Sequence, residues 1–177
     1  AFEDALRFRN IPYRLFGGLS FYSRKEIKDV LAYFRLVVNN NDNDAFLRII
    51  NYPARGIGQT SLDRLKIAAD SMNCSLFDAA SSDCLSQFGI KSSTASTLSD
   101  FCAFIRACSV ELYNEDALTL GEKIIKRSRL KETISEEDKA ESKDRLENVE
   151  ELISGLQSFV SLEDNSLIDE LTGEVVS

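Results

Sequence analysis

The stretch YPARGIGQTSLDRL, residues 52–65, sets two glycines around one isoleucine, puts an arginine just before them and opens an amphipathic helix with Gln59, Thr60 and Ser61. Glycines accept backbone conformations that a side chain forbids, and leave nothing between their peptide groups and an approaching molecule. The first amides of the helix that follows, Gln59 to Leu62, lack partners within it and sit at the positive end of its dipole. With the hydroxyls of Thr60 and Ser61 and the charge of Arg55, they make a small anion site suited to a phosphate. The plainer alternative is a sharp bend between two helices, with Ile57 filling the core and Gly56 and Gly58 only permitting the turn.

A chain of 177 residues that is 44% hydrophobic, with two prolines and eight glycines, can bury a core of its own. It carries no run of eighteen apolar residues and no signal peptide, so the expectation is a cytoplasmic protein with no membrane partner. Cys74, Cys84, Cys102 and Cys108 form no C-x-x-C pair and there is no histidine, which argues against structural zinc and leaves four idle reduced thiols. The net charge of −8 argues against nucleic acid on average, but residues 1–66 carry +4 and residues 67–177 carry −12. The glycine turn lies in the basic part, where a local cationic face is compatible with an acidic whole.

Outward from the turn the periodicity is helical. Ile27, Val30, Leu31, Phe34 and Val38 share a face of SRKEIKDVLAYFRLVV, with Ser23 and Glu26 spaced as a capping box. The polar NNNDND of residues 39–44 reads as a loop, a subdomain boundary and, at Asn39, Asn40 and Asn41, a hinge. Phe46, Leu47, Ile49 and Ile50 face inward from a short helix that Pro53 helps to end. Leu62, Leu65, Ile67 and Ala69 form the apolar side of the helix after the turn, and SLFDAA adds a short one. Leu98, Phe101, Phe104, Ile105 and Leu112 stripe a longer helix over residues 93–113. A further helix, LTLGEKIIKRSRL, has a basic edge of Lys123, Lys126, Arg127, Arg129 and Lys131, a second candidate contact surface. The last helix begins as a solvated charge run, with eight acids against three bases from Glu136 to Glu151, and continues through Leu146, Val149, Leu152, Ile153, Leu156 and Phe159. Only FEDALRFR and PYRLFGG near the start read otherwise, as the end of a helix and a short strand whose unpaired edge could pair with another copy. The expected fold is mainly α, with a small α/β remnant at the N-terminus.

The chemistry that is missing narrows the function. There is no G-x-x-x-x-G-K-[ST] phosphate loop, and GGLSFYSRK has neither its spacing nor its lysine-hydroxyl pair. Without histidine there is no Ser-His or Cys-His nucleophile pair, and acids adjacent in sequence such as Glu136 and Glu137 diverge by about 100° on a helix. The expectation is therefore a binding module with no catalytic residue, no metal and no cofactor of its own. The glycine turn suits a contact to one DNA backbone strand that reads no bases, as helix-hairpin-helix modules make.

The continuous stretch IPYRLFGGLSFYSRKEIKDVLAYFRLVVNNNDNDAFLRIINYPARGIGQTSLDRL resembles the middle of UvrD/PcrA/Rep-type superfamily 1 DNA helicases over residues 1–80. ESKDRLENVEELISGLQSF resembles a later helix of the same region, its R-x-E-N-x-x-E-L pattern falling on Arg145, Glu147, Asn148, Glu151 and Leu152. The resemblance implies that residues 1–38 belong to the end of the motif IV region of motor domain 2A. Residues 39–177 would then be most of the inserted 2B accessory subdomain, incomplete at its C-terminus. It implies a parent that uses ATP and magnesium to translocate 3′ to 5′ on single strands. The 2B subdomain would touch the duplex near its junction with single strand through Arg55, Gly56, Ile57, Gly58, Gln59, Thr60 and Ser61. A protein-docking or autoinhibitory module, using the acidic helix against a basic protein surface, is the alternative.

Overall fold

The computed structural model describes residues 19–137 and 139–172, and the regular elements among them are all helical. The expected N-terminal helix end, the strand over residues 11–16 and its self-pairing edge lie outside the described residues. The chain runs through α1 (Leu19–Tyr22), α2 (Lys25–Val38), α3 (Asn43–Ile49), α4 (Gln59–Met72), α5 (Leu76–Ala80), a 3₁₀ turn (Leu85–Phe88), α6 (Ser92–Glu111), α7 (Ala117–Ser128), α8 (Leu130–Glu136) and α9 (Lys139–Thr172). No helix among the described residues is long and apolar enough to cross a membrane.

Helix α2 is the centre on which the others pack. Ile27, Val30, Ala32, Tyr33, Leu36 and Val37 are buried nearly all round it, so it reads as a core helix and not as a surface stripe. It touches α1, α3, α6, α7 and α9, and one continuous apolar cluster runs from Phe21 to Ile153. Phe46 of α3 meets Phe101 of α6 edge-to-face, ring centres 5.8 Å apart. On α7, Gly121 lets the backbone come close: a Cβ there would lie 3.0 Å from Leu156 and 3.3 Å from Phe34. Because α2 and the helices after it share this core, the packing does not separate at residue 38.

Local chemistry explains the ends. Asp42 caps α3 by accepting from Ala45 N–H at 2.9 Å, Ser75 caps α5 and Asp116 caps α7. Asn73 ends α4 and Arg129 ends α7 in the left-handed conformation, which splits the helix expected over LTLGEKIIKRSRL into two. The capping box at Ser23 and Glu26 is not formed. Ser23 Oγ donates back to Ser20 O at 2.7 Å, Arg24 takes the cap position, and the buried Glu26 carboxylate accepts from Asn148 Nδ2 of α9 at 2.7 Å. The core row of α4 is Leu65, Ala68 and Ala69, while Ile67 is 60% exposed. Its two-residue offset from Leu65 turns it about 200° away, off the side expected from sequence.

Two carboxylates enter this core, Glu26 held by Asn148 and Asp29 held by Arg48. Asp29 of α2 is 3% exposed and accepts from Arg48 Nε of α3 at 2.8 Å, its second oxygen having no partner. Burial pushes the Asp29 pKa up, against the pull of Arg48 and Lys25. A carboxyl raised in the folded state favours the fold when neutral, so that contribution is full below its unfolded value and fades as pH climbs through the folded one. Arg48→Met leaves the ionised carboxylate buried and unpaired. It should destabilise the chain by about 3 kcal/mol near neutral pH, with the deficit shrinking toward pH 4 as Asp29 protonates. Urea unfolding across this pH range measures it; a deficit independent of pH would contradict the pair's role.

Candidate nucleic-acid interface

The segment from α3 to α4 is held from within by Arg55. Its Nη1 donates to the carbonyls of Ile49 at 2.8 Å, Ile50 at 3.0 Å and Pro53 at 3.2 Å, and its Nη2 to Tyr33 Oη at 2.8 Å. The guanidinium lies over the Phe101 ring, 4.6 Å from its centre. Two of those acceptors are the last carbonyls of α3, unpaired by helix geometry and at the negative end of its dipole, where a cation is favoured. Tyr33, fully buried on α2, donates its own hydroxyl to Tyr52 O at 2.7 Å. Its pKa is pushed up by that burial, against the pull of Arg55.

After this knot the backbone swings outward. Gly56 has φ +69°, a conformation only glycine takes without strain. Ile57 turns back into the core at 5% exposure, its N–H received by Asn51 Oδ1 at 3.1 Å and its carbonyl accepting from Asn51 Nδ2 at 2.5 Å. Gly58 is extended at φ −73° and ψ 159° and stands as the cap of α4 with no side-chain cap bond. A Cβ on Gly56 or Gly58 would meet nothing within 4 Å. Ser61 and Leu62 N–H go to Gly58 O at 3.0 and 3.1 Å, whereas Gly58, Gln59 and Thr60 N–H find no acceptor among the described residues. Gln59 donates to Asp63 at 2.8 Å, Thr60 is exposed and Ser61 half-buried.

The residues expected at the interface therefore divide. Gly56, Gly58, Gln59 and Thr60 share one open surface with Ser61 at its edge, Ile57 fills the core, and the guanidinium of Arg55 faces inward. The basic edge is largely neutralised by the chain itself. Lys123 is bonded to Glu115 and lies 3.5 Å from Glu111, Arg127 pairs with Glu111 at 3.0 Å, and Lys131 with Glu150 at 2.5 Å. The Arg127 hydrogen bond draws the Glu111 pKa below the usual range, and that from Lys123 to Glu115 raises the Lys123 pKa. Lys126 and Arg129 are exposed and without an ion pair among the described residues. The asparagines expected as a hinge form a tight corner: Asn40 donates to Leu36 O at 2.7 Å and to Ser109 of α6 at 3.2 Å, and Asn41 N–H donates to Asn39 Oδ1 at 3.1 Å.

Asn51 and Tyr33 were not singled out from the sequence, because a side chain's backbone acceptors leave no trace in periodicity. A second turn was legible and missed. Gly89, at φ +76°, is followed by Ile90 at 3% exposure, Lys91 extended at φ −64° and ψ 148°, and the hydroxyl-rich start of α6. GIKSST thus repeats the backbone of GIGQTS. The space beside Gly89 is taken: a Cβ there would lie 3.3 Å from the Arg64 guanidinium, which donates to Gly89 O at 2.5 Å. Only the first turn is open in this way.

Among the described residues the regular elements are helical and no group of His, Cys, Asp or Glu side chains could hold a metal ion. The family is shown by comparison: the model for the UvrD-like helicase C-terminal domain matches residues 1–173, and the chain belongs to that family. It is 34% identical to DNA helicase II of Escherichia coli over 157 residues, covering 89% of this chain and 22% of that protein. It is 34% identical to the ATP-dependent DNA helicase PcrA of Staphylococcus epidermidis over 173 residues, covering 96% of this chain and 24% of that protein. The PcrA of Staphylococcus aureus is 33% identical over 173 residues, with 96% and 23% covered. The chain thus spans under a quarter of the length of these curated relatives.

The Arg55 knot needs a planar fork and not a point charge. Arg55→Lys should cost about 2 kcal/mol, close to the cost of Arg55→Ala, because an ammonium cannot serve three carbonyls and a hydroxyl while stacked on a ring. Thermal unfolding of the two variants is the check; full rescue by lysine would show that only the charge matters.

Proposed function

We propose that this chain is the 2B-type accessory region of an ATP-dependent 3′–5′ DNA helicase, and that it holds the backbone of duplex DNA near the junction with single strand. The observation that carries the reading is the open turn, with three consecutive amides, Gly58 to Thr60, free of acceptors among the described residues and no atom within 4 Å of where a Cβ on Gly56 or Gly58 would stand. A phosphate oxygen approaching there accepts from amides whose direction is fixed, with the Thr60 hydroxyl beside it and the α4 dipole behind it. Base identity does not enter. In this reading Arg55 shapes the turn from inside, and the ATP and magnesium chemistry belongs to the rest of the helicase, which acts in the cytoplasm. Residues 1–38 are motor-derived sequence whose last helix is built into the bundle. Asn39 to Asn41 form a hydrogen-bonded corner between α2 and α3, at which the motor and the bundle would swivel.

The protein-docking alternative has less support. Three of the exposed acids of α9 are engaged by the chain's own cations: Glu141 by Arg145 at 2.8 Å, Glu147 by Lys143 at 3.8 Å and Glu150 by Lys131.

Gly58→Ala separates function from fold. Its dihedrals suit alanine and a methyl group meets nothing in the protein, so the chain should keep its stability or gain about 0.5 kcal/mol from reduced unfolded-state entropy. The methyl group occupies the approach to the amides, so duplex affinity should fall about threefold to tenfold on any sequence. Gly56→Ala, by contrast, should cost about 1–2 kcal/mol in the turn itself. Within the whole helicase, Gly58→Ala should slow unwinding of a tailed duplex and spare translocation on single strands. Unwinding and duplex affinity both equal to wild type would refute the reading.

A further inference from the structure

Two glycines on either side of Ile57 would ordinarily leave the amides that follow free to point in many directions. Ile57 is nevertheless fixed at three places. Its side chain is buried, and its N–H and its carbonyl both close onto one side chain, Asn51. A carboxamide is suited to this task, since it carries a donor and an acceptor in one plane and meets the N–H and C=O of a single residue as a neighbouring strand would. Asn51 follows directly on α3, where Tyr52 N–H closes onto Ile49 O at 3.0 Å, so the clamp stands on a held support.

We infer that Asn51 is the positioning residue of the glycine turn: by closing both hydrogen-bonding groups of Ile57 it sets in advance the direction of the Gly58, Gln59 and Thr60 amides toward a duplex-DNA phosphate. This rests on the DNA-backbone reading given above. Asn51 touches no ligand; it acts by removing the ordering cost that binding would otherwise meet at a two-glycine turn. Asn51→Ala removes donor and acceptor together. Asn51→Asp keeps the acceptor for Ile57 N–H, loses the donor to Ile57 O and adds a negative charge behind the turn.

The test has one arm without DNA and one with it, both on the full chain. In the first, residue-resolved amide hydrogen exchange should rise about tenfold or more at Ile57 in Asn51→Ala, while exchange in α2 and α6 stays near wild type. In Asn51→Asp, Ile57 N–H should stay protected. In the second, anisotropy of a labelled blunt duplex should show affinity falling about threefold to tenfold in Asn51→Ala, with the salt slope unchanged because no charged contact is lost. The loss in Asn51→Asp should be greater at low salt than at high salt. A residue serving stability alone would speed exchange evenly through the bundle and leave the affinity of the folded fraction untouched, and that result overturns the inference. Unchanged exchange at Ile57 overturns it also, whether or not DNA binds. Absence of duplex binding in the wild type refutes the DNA reading instead, and the claim of a clamp is then decided by the exchange arm. Should Asn51→Ala fail to fold, Asn51→Asp decides: wild-type affinity at low salt overturns the inference.

Discussion

One guanidinium organises the region between α3 and α4. Arg55 reaches the last carbonyls of α3, the hydroxyl of Tyr33 on α2 and the ring of Phe101 on α6, so three helices and the start of the turn meet on a single side chain. Each partner has its own need: buried carbonyls at a helix end require donors, and a buried phenol requires both a donor and an acceptor. Satisfying them together gives a fixed platform from which Gly56 can turn outward and Ile57 back in. The open amides of Gly58 to Thr60 follow from that platform.

On the proposed reading, this arrangement would give an acidic chain an anion site made of peptide amides and not of a row of lysines. Much of the basic edge on α7 and α8 is neutralised by Glu111, Glu115 and Glu150, and Arg55 is turned to its own carbonyls. What remains near the turn is the field of oriented peptide groups, which is short-ranged and directional. On the proposed reading such a contact would recognise the DNA backbone, add little non-specific affinity and not be held in place by many ion pairs. The charge gradient along the sequence pointed to the region of the turn, where some of the cations that produce it, Arg48 and Arg55 among them, are used inside the protein.

Helices were legible where apolar spacing was strong. The faces of α3, α6 and the first half of α9 fall where periodicity puts them, because burial is what the period of 3.6 encodes; on α2 the expected face ends in an exposed Val38, while Tyr33, Leu36 and Val37 outside it are buried. Legibility failed where a polar side chain had two eligible partners. Glu26 had the spacing of a capping box but meets Asn148, far away in sequence. Arg55 had the position of a phosphate contact but finds acceptors within seven residues and on Tyr33. The R-x-E-N pattern was visible without its role: Asn148 accepts from Arg24 and donates to Glu26, tying α9 to the entry of α2, while Arg145 meets Glu137 at 2.5 Å. Long-range hydrogen bonds of this kind are set by the packed fold and carry no periodic signal.

The central claim is that the free amides after Gly58 are the place where duplex DNA touches this chain. An amide-resolved NMR titration of the wild-type chain with a short blunt duplex, repeated at two salt concentrations, tests it most directly. The account predicts shift changes led by Gly58, Gln59 and Thr60, similar for unrelated base sequences and weaker at higher salt. Changes gathered instead around Lys126 and Arg129, with the turn amides unmoved at saturating DNA, would contradict it.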